Sequence, residues 1–203
     1  NGFLYACSNN KPEMVKFLAN EYKFDIHSKN NYGNNGFLFA CSNNNPEMVR
    51  FLVNEYKFDI HLKNKYSDNG FQLACYHNNP EMVKFLVNEY KFDIHSKNNY
   101  GNNGFIFACS NNNPEMVKFL VNEYKFDIHS KNNVGNNGFL VACCHNNPEM
   151  VKFLVNEYKF DIHSKNNDGN NGFLFACSNN NPEMFKFLVN EYKFDIHSKN
   201  NDG

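Results

Sequence analysis

Apolar and polar positions follow a helical period in the stretch NNNPEMVRFLVNEYK, residues 43–57. Met48, Val49, Leu52, Val53 and Tyr56 recur at three- and four-residue steps, while Arg50, Asn54 and Glu55 fall on the other side. This predicts a helix that buries one stripe. Its start is marked as well: Asn45 is placed to cap free backbone N–H groups, Pro46 suits the first helical position, and Glu47 complements the positive helix end. Upstream, NGFLFACSNN is ambiguous, because Asn-Gly beside apolar residues is also a hairpin signal. A helix is favoured there. Phe37, Ala40 and Cys41 share one helical face and Asn35 can cap it, whereas a strand would turn Ala40 and Cys41 to opposite sides. The spacing predicts a short helix of about two turns. The remaining FDIHLKNKYSD is polar and rich in turn-forming residues, which predicts an extended loop or hairpin.

The whole chain repeats this plan. Pro12, Pro46, Pro80, Pro114, Pro148 and Pro182 follow one another every 34 residues, giving units 1–34, 35–68, 69–102, 103–136, 137–170 and 171–203, the last one residue short. A short helix, a tight turn, a longer helix and a projecting loop cannot bury their own apolar face, and stacking neighbours removes that difficulty. The expected fold is an all-α repeat solenoid of six stacked helix-turn-helix-loop units. The chain opens on Asn rather than Met, as expected of a piece of a longer array.

Charge and cysteine content narrow the function classes. With 20 basic and 21 acidic residues spread evenly, there is no basic stripe for a phosphate backbone, so no nucleic-acid partner is expected. Apolar runs such as Phe139–Cys144 are far too short to cross a bilayer, so no membrane partner is expected either. Six of the seven cysteines (Cys7, Cys41, Cys75, Cys109, Cys143 and Cys177) occupy one equivalent place. Units about 10 Å thick hold them too far apart for a bridge, which needs Cα atoms within about 7 Å. Reduced, buried thiols in an intracellular protein are expected. None of the 42 asparagines starts an Asn-x-Ser/Thr acceptor.

In order along each copy, NGFLFACSNNNPEMVKFLV and then FDIH, these residues resemble the ankyrin repeat. That family's pattern runs through a capping Thr-Pro-Leu-His, an Ala-Ala pair, a Glu-rich second-helix start and an Asp-Val-Asn approach to a hairpin. The resemblance spans all 203 residues. The tetratricopeptide repeat shares the period but needs two longer helices and little loop. Three departures stand out. Asn-Gly replaces Thr-Pro, implying first helices less rigid than usual. The family's His, which hydrogen-bonds within the turn, becomes Leu38, Gln72, Ile106 or Leu140. NEYKFDIH also lacks the glycine that normally ends the second helix. The asparagine-rich text is similar to ankyrin proteins of giant amoeba viruses of the mimivirus type, which implies the cytoplasm of a host cell as location.

Differences between copies mark the candidate site, since a fold alone names no partner. PEMVKFLVNEYKFDIH scarcely varies. The loop tips read Tyr32, Tyr66, Tyr100, Val134, Asp168 and Asp202. After Ala-Cys the copies read Ser-Asn, except for Tyr76-His77 and Cys144-His145. In the ankyrin family these two regions line the concave, protein-binding surface. The resemblance thus implies a partner-binding set of Tyr32, Lys65, Tyr66, Tyr76, His77, Tyr100, Val134, Cys144, His145 and Asp168, aromatic at one end and acidic at the other. The expected partner is an unidentified protein, a host protein on the viral resemblance.

Other chemistry is thin. His27, His61, His95, His129, His163 and His197 recur once per unit, too far apart to share a metal, and a hydrogen-bonding role in the hairpin is expected of them. Cys143, Cys144 and His145 lack a fourth ligand, so neither metal nor cofactor is assigned. There is no glycine-rich phosphate loop or catalytic grouping, and no enzyme is expected. The alternative to a partner-binding module is a structural array. Met14, Val15, Leu18 and Tyr22 in the first copy, and Met184, Phe185, Leu188 and Tyr192 in the last, are expected to leave apolar surface uncovered, favouring fraying or head-to-tail association. A cysteine register without pairing geometry predicts seven labelled thiols when fresh protein is alkylated under denaturing, non-reducing conditions. Fewer would reveal a bridge.

Overall fold

A computed structural model describes residues 1–203 as twelve helices without a strand. They form two compact units, Asn1–Asn99 and Tyr100–Gly203. The first holds α1 (Gly2–Ser8), α2 (Pro12–Asn20), α3 (Gly36–Ser42), α4 (Pro46–Tyr56), α5 (Gly70–Tyr76) and α6 (Pro80–Tyr90). The second holds α7 (Gly104–Ser110), α8 (Pro114–Tyr124), α9 (Gly138–Cys144), α10 (Pro148–Tyr158), α11 (Gly172–Ser178) and α12 (Pro182–Tyr192). Within each unit the short, odd-numbered helices pack in sequence, α1 on α3 on α5 and α7 on α9 on α11.

Asn-Gly opens a helix in every copy. Asn35 stands in extended backbone and its Oδ1 accepts the Leu38 N–H at 3.0 Å, a cap repeated before every short helix. The helix stops two turns later because Asn44 adopts a left-handed φ of 56°. This lets Asn45 N–H reach back to Ala40 O at 3.0 Å.

Asn45 does not cap α4, contrary to expectation. Its Nδ2 reaches across to the preceding copy and donates to Ser8 O at 2.7 Å and Cys7 O at 3.4 Å. The carbonyls at the end of α1 lack intrahelical partners, and this amide supplies one. The same clasp joins Asn79 to Cys41 and Ser42, and Asn147 to Cys109 and Ser110. Copy one has Lys11 at this place. Without a terminal glycine, α4 still ends in a left-handed residue: Lys57 has φ 56°, Phe58 N–H returns to Leu52 O at 3.3 Å, and Lys57 Nζ donates to Asn54 O at 2.8 Å. Burial of Phe58 and the satisfied carbonyls offset a conformation that costs about 1–2 kcal/mol.

The glycine of Asn-Gly serves close approach. A Cβ on Gly36 would lie 2.7 Å from Cys7 Sγ and 2.9 Å from Phe3 Cε1; Gly70 meets Cys41 and Phe37 in the same way, Gly138 meets Cys109 and Phe105, and Gly172 meets Cys143 and Phe139. The cysteine register is therefore half of a knob-and-notch contact. Around it Met48, Val49 and Leu52 are fully buried, whereas Val53 and Tyr56 are only half-buried at the stripe's edge.

The loops close without strands. Asn30 Oδ1 accepts from Tyr32 N–H and Asn34 N–H at 3.0 and 2.9 Å, and Asn30 N–H donates to Asn34 O at 3.0 Å. Four of the repeated histidines lie with the imidazole against the next copy's loop phenylalanine rather than in the expected ring hydrogen bond: His27 on Phe58 at 5.2 Å, His61 on Phe92 at 5.9 Å, His129 on Phe160 at 5.9 Å and His163 on Phe194 at 5.6 Å. Met14 and Tyr22 are exposed, but Val15 is buried, and Met184 and Leu188 are buried too. Each stripe has one flank toward either neighbour, so a terminal copy uncovers only one.

Helix propensity alone says that alanine in place of Gly36 should stabilise α3. The junction reverses the sign: Gly36→Ala should lower unfolding free energy by about 1–3 kcal/mol. Adding Cys7→Ala should recover part of the loss. Denaturant midpoints of the two variants check both steps.

Candidate protein-binding face

The varying loop tips are aligned by main-chain bonds. In the first unit Lys65 N–H donates to Tyr32 O and Asn99 N–H to Tyr66 O, both at 3.0 Å. In the second, Asn133, Asn167 and Asn201 N–H donate to Tyr100, Val134 and Asp168 O at 2.9, 3.1 and 3.0 Å. A side-chain ladder runs beside it: Asn64 Nδ2 to Asn34 Oδ1 at 3.1 Å, Asn98 Nδ2 to Asp68 Oδ1 at 2.7 Å, Asn132 Nδ2 to Asn102 Oδ1 at 3.1 Å. Backbone and asparagines fix the register, and the tip side chains are exposed. Tyr32, Tyr66, Tyr100 and Val134 are 59, 41, 57 and 48% exposed; Lys65 and Asp168 are exposed as well.

The second row lies at the far end of the short helix, about 10 Å along its axis at 1.5 Å per residue. Tyr76 is half-buried with its ring edge-on to His77 at 5.0 Å. Burial lowers the His77 pKa, which favours the neutral ring. His145 takes over a cap: its Nδ1 lies 2.9 Å from Val141 O, where Asn43 Nδ2 lies 2.9 Å from Phe39 O. Cys144 O and Sγ accept from Asn179 Nδ2 at 3.0 and 3.4 Å. The Cys144-His145 pair is thus tied into caps and junctions, and no group of three His, Cys, Asp or Glu side chains could hold a metal.

Between the rows lies a position outside the expected set: Tyr5, Phe39 and Leu73 in the first unit, Phe107, Val141 and Phe175 in the second, with Leu73 and Val141 buried. Tyr5 is 73% exposed. It lines a cleft with Leu4, Ser8, Phe39 and Asn30, so the tip turn and the first helices share one concavity there. The signal was present, since this position varies as freely as the tips, but uniformly apolar residues look like packing.

A family description reading "Ankyrin repeats (3 copies)" matches residues 3–98, 56–132 and 105–200. The chain belongs to the ankyrin repeat family. Two solved structures share the fold. One is titled as the Bd0816 predatory endopeptidase from Bdellovibrio bacteriovorus in complex with immunity protein Bd3460 (TM-score 0.65, 20% identity, 93% of this chain and 97% of that chain). The other is EF0377, an ankyrin repeat protein (TM-score 0.62, 24% identity, 92% and 96%). No curated protein sequence matches the chain. No helix is long and apolar enough to cross a membrane.

Within the ankyrin frame, copy three restores what the other copies lost. Gln72, at the place of the family's His, is fully buried; its Oε1 accepts from Asn69 N–H and its Nε2 donates to Ser96 O, both at 2.9 Å. The expectation that this position no longer hydrogen-bonds is corrected at Gln72.

Thiol chemistry divides along the ankyrin packing. Burial pushes the Cys7 thiol up to about 12 and raises Cys41, Cys75, Cys109 and Cys143 too. A raised folded pKa leaves stability intact below the unfolded thiol pKa near 8.5 and removes it as pH climbs toward the folded value. Unfolding free energy should therefore fall above about pH 9, by up to about 1.4 kcal/mol per pH unit for each thiol. Cys41→Ala should flatten that slope relative to the wild type. In the native protein at neutral pH, alkylation should reach exposed Cys177 and half-buried Cys144 and spare the rest, as mass mapping can read.

Proposed function

We propose that this chain is a non-catalytic interaction module whose protein partner lies across the loop tips and first helices. Ankyrin repeats generally mediate protein–protein interaction and are typically non-enzymatic scaffolds. The observation that carries the finer reading is the contrast at the tips: identical backbone ladders hold exposed side chains that differ from copy to copy. Tyr32 and Tyr66, with Lys65 between them along the ladder, present large rigid groups at low entropy cost. Such groups anchor interfaces. Tyr5 and Phe39 extend the apolar contact into the adjoining cleft. In the second unit the tips pass from Tyr100 through Val134 to Asp168, a gradient that favours a partner with apolar and basic stretches in that order. Taken with the giant-virus resemblance, the partner is a protein of the host cytoplasm.

End-to-end assembly, the other reading, draws on Met14, Phe17 and Tyr22, exposed together on the first copy. It also requires a matching open face on the sixth.

Affinity capture from host-cell lysate should recover at least one protein with the intact chain and lose it with a version carrying serine at Tyr32, Tyr66, Tyr76 and Tyr100. The three tip tyrosines are exposed, and Tyr76 is half-buried at a helix end, so the variant should keep its helical circular dichroism. Equal recovery by both versions would remove the aromatic face from the reading.

A further inference from the structure

We infer that Lys65, at the tip of the second copy, takes a carboxylate side chain of the partner between Tyr32 and Tyr66, so that the segment seated on the first unit is acidic. The inference rests on the tips binding a protein and adds the chemistry of that protein. At the equivalent place the other five copies have Asn31, Asn99, Asn133, Asn167 and Asn201. Asparagine there adds a rung to the ladder: Asn167 Nδ2 donates to Asn133 O and Asn201 Nδ2 to Asn167 O, both at 3.2 Å. Lys65 keeps the main-chain rung, N–H to Tyr32 O at 3.0 Å. Its ammonium makes no hydrogen bond or ion pair within the protein. The stem runs beside Gly33, where a Cβ would lie 3.0 Å from Lys65 Cγ, which brings the lysine against the tip that carries Tyr32. Tyr66 follows it directly in the chain.

No acid in this row of tips answers that charge. Asp68 is buried, its Oδ1 accepting from Asn98 Nδ2 at 2.7 Å and its Oδ2 from Asn64 Nδ2 at 3.0 Å. The loop lysines common to every copy, Lys29, Lys63 and Lys97 in this unit, are matched in number by Asp25, Asp59 and Asp93. Lys65 is thus the charge by which the second tip differs. The same turn carries a further cost: Ser67 holds a left-handed φ of 64° where Gly33, Gly101, Gly135 and Gly169 stand in other copies. Strain of this kind gathers where ligands bind. The anion favoured is a carboxylate. Lysine is a compact point charge, whereas a phosphate dianion is matched by arginine forks, and the chain's one arginine, Arg50, is paired with Glu89 on the longer helices. The exposed rings of Tyr32 and Tyr66 offer apolar contact on either side of the ammonium. An aspartate or glutamate flanked by apolar residues fits this arrangement.

Selection of random short peptides displayed on phage, with the intact chain as bait, tests the inference. Enriched peptides are then synthesised and titrated by fluorescence anisotropy against the wild type, Lys65→Asn and the version with serine at Tyr32, Tyr66, Tyr76 and Tyr100. Asparagine is the residue of the other five copies, so Lys65→Asn keeps a fold-compatible side chain; circular dichroism verifies this. Enriched peptides should carry aspartate or glutamate and bind Lys65→Asn at least about tenfold more weakly than the wild type. Exchanging the peptide's acid for its amide should weaken wild-type binding by a similar factor and leave binding to Lys65→Asn unchanged. Added salt should loosen the wild-type complex more than the variant's. Enriched peptides without an acid, acidic peptides that bind both proteins equally, or a selection that enriches nothing would each overturn the inference. Peptides that Lys65→Asn retains and the serine version loses would remove only the lysine's part and keep the tips as the binding face. Peptides that both versions retain would remove the face as well.

Discussion

The seating of a bare glycine against a cysteine and a phenylalanine of the preceding copy is the contact on which the other junction features depend. A seven-residue helix has little stability of its own, because nucleation is costly and few hydrogen bonds follow. It persists here because the neighbouring short helix approaches within the space a methyl group would need. At that separation Asn45 can reach the carbonyls of α1, the loop-tip amides meet the previous tip's carbonyls, and His27 lies on Phe58. Asn-Gly thus has two jobs in adjacent residues: the asparagine begins the helix and the glycine lets it close on its neighbour.

Asparagine does the remaining polar work, and its abundance has a physical account. Within one copy it caps the short helix at Asn35, takes a left-handed turn at Asn44, clasps the preceding copy at Asn45, organises the loop turn at Asn64 and extends the side-chain ladder. Each use exploits a short side chain carrying both a donor and an acceptor. Aspartate at 68 keeps its place in the ladder only as an acceptor, from Asn64 and Asn98.

What the sequence made legible was local. Period, helix pairs and the caps of the short helices follow from Pro46, Asn35 and the apolar steps of α4, all within one copy. What it hid lay across junctions. Asn45 looked like a cap for its own helix, His27 like a hairpin donor, and Gly36 like a loosened proline, because nothing inside a copy shows what the neighbour places opposite. Lys57 likewise gave no sign of a left-handed residue, since its strain is relieved by Phe58 burial and a lysine-to-carbonyl bond. The tip row was legible through variation between copies, but Tyr5 and Phe39 were masked by their resemblance to core.

The backbone ladder at the loop tips separates surface variation from folding. Carbonyl and N–H groups set the spacing of Tyr32, Tyr66 and their counterparts, and these groups are common to every amino acid except proline at the donor position. A tip can change from tyrosine to valine to aspartate without disturbing the register, as Tyr100, Val134 and Asp168 already illustrate. Duplication of a copy then adds a ready-made blank, and point mutation at one codon writes a new contact on it. Diversity accumulates along the row at almost no thermodynamic penalty, which is the condition under which a near-identical array can evolve new partners faster than it loses its fold.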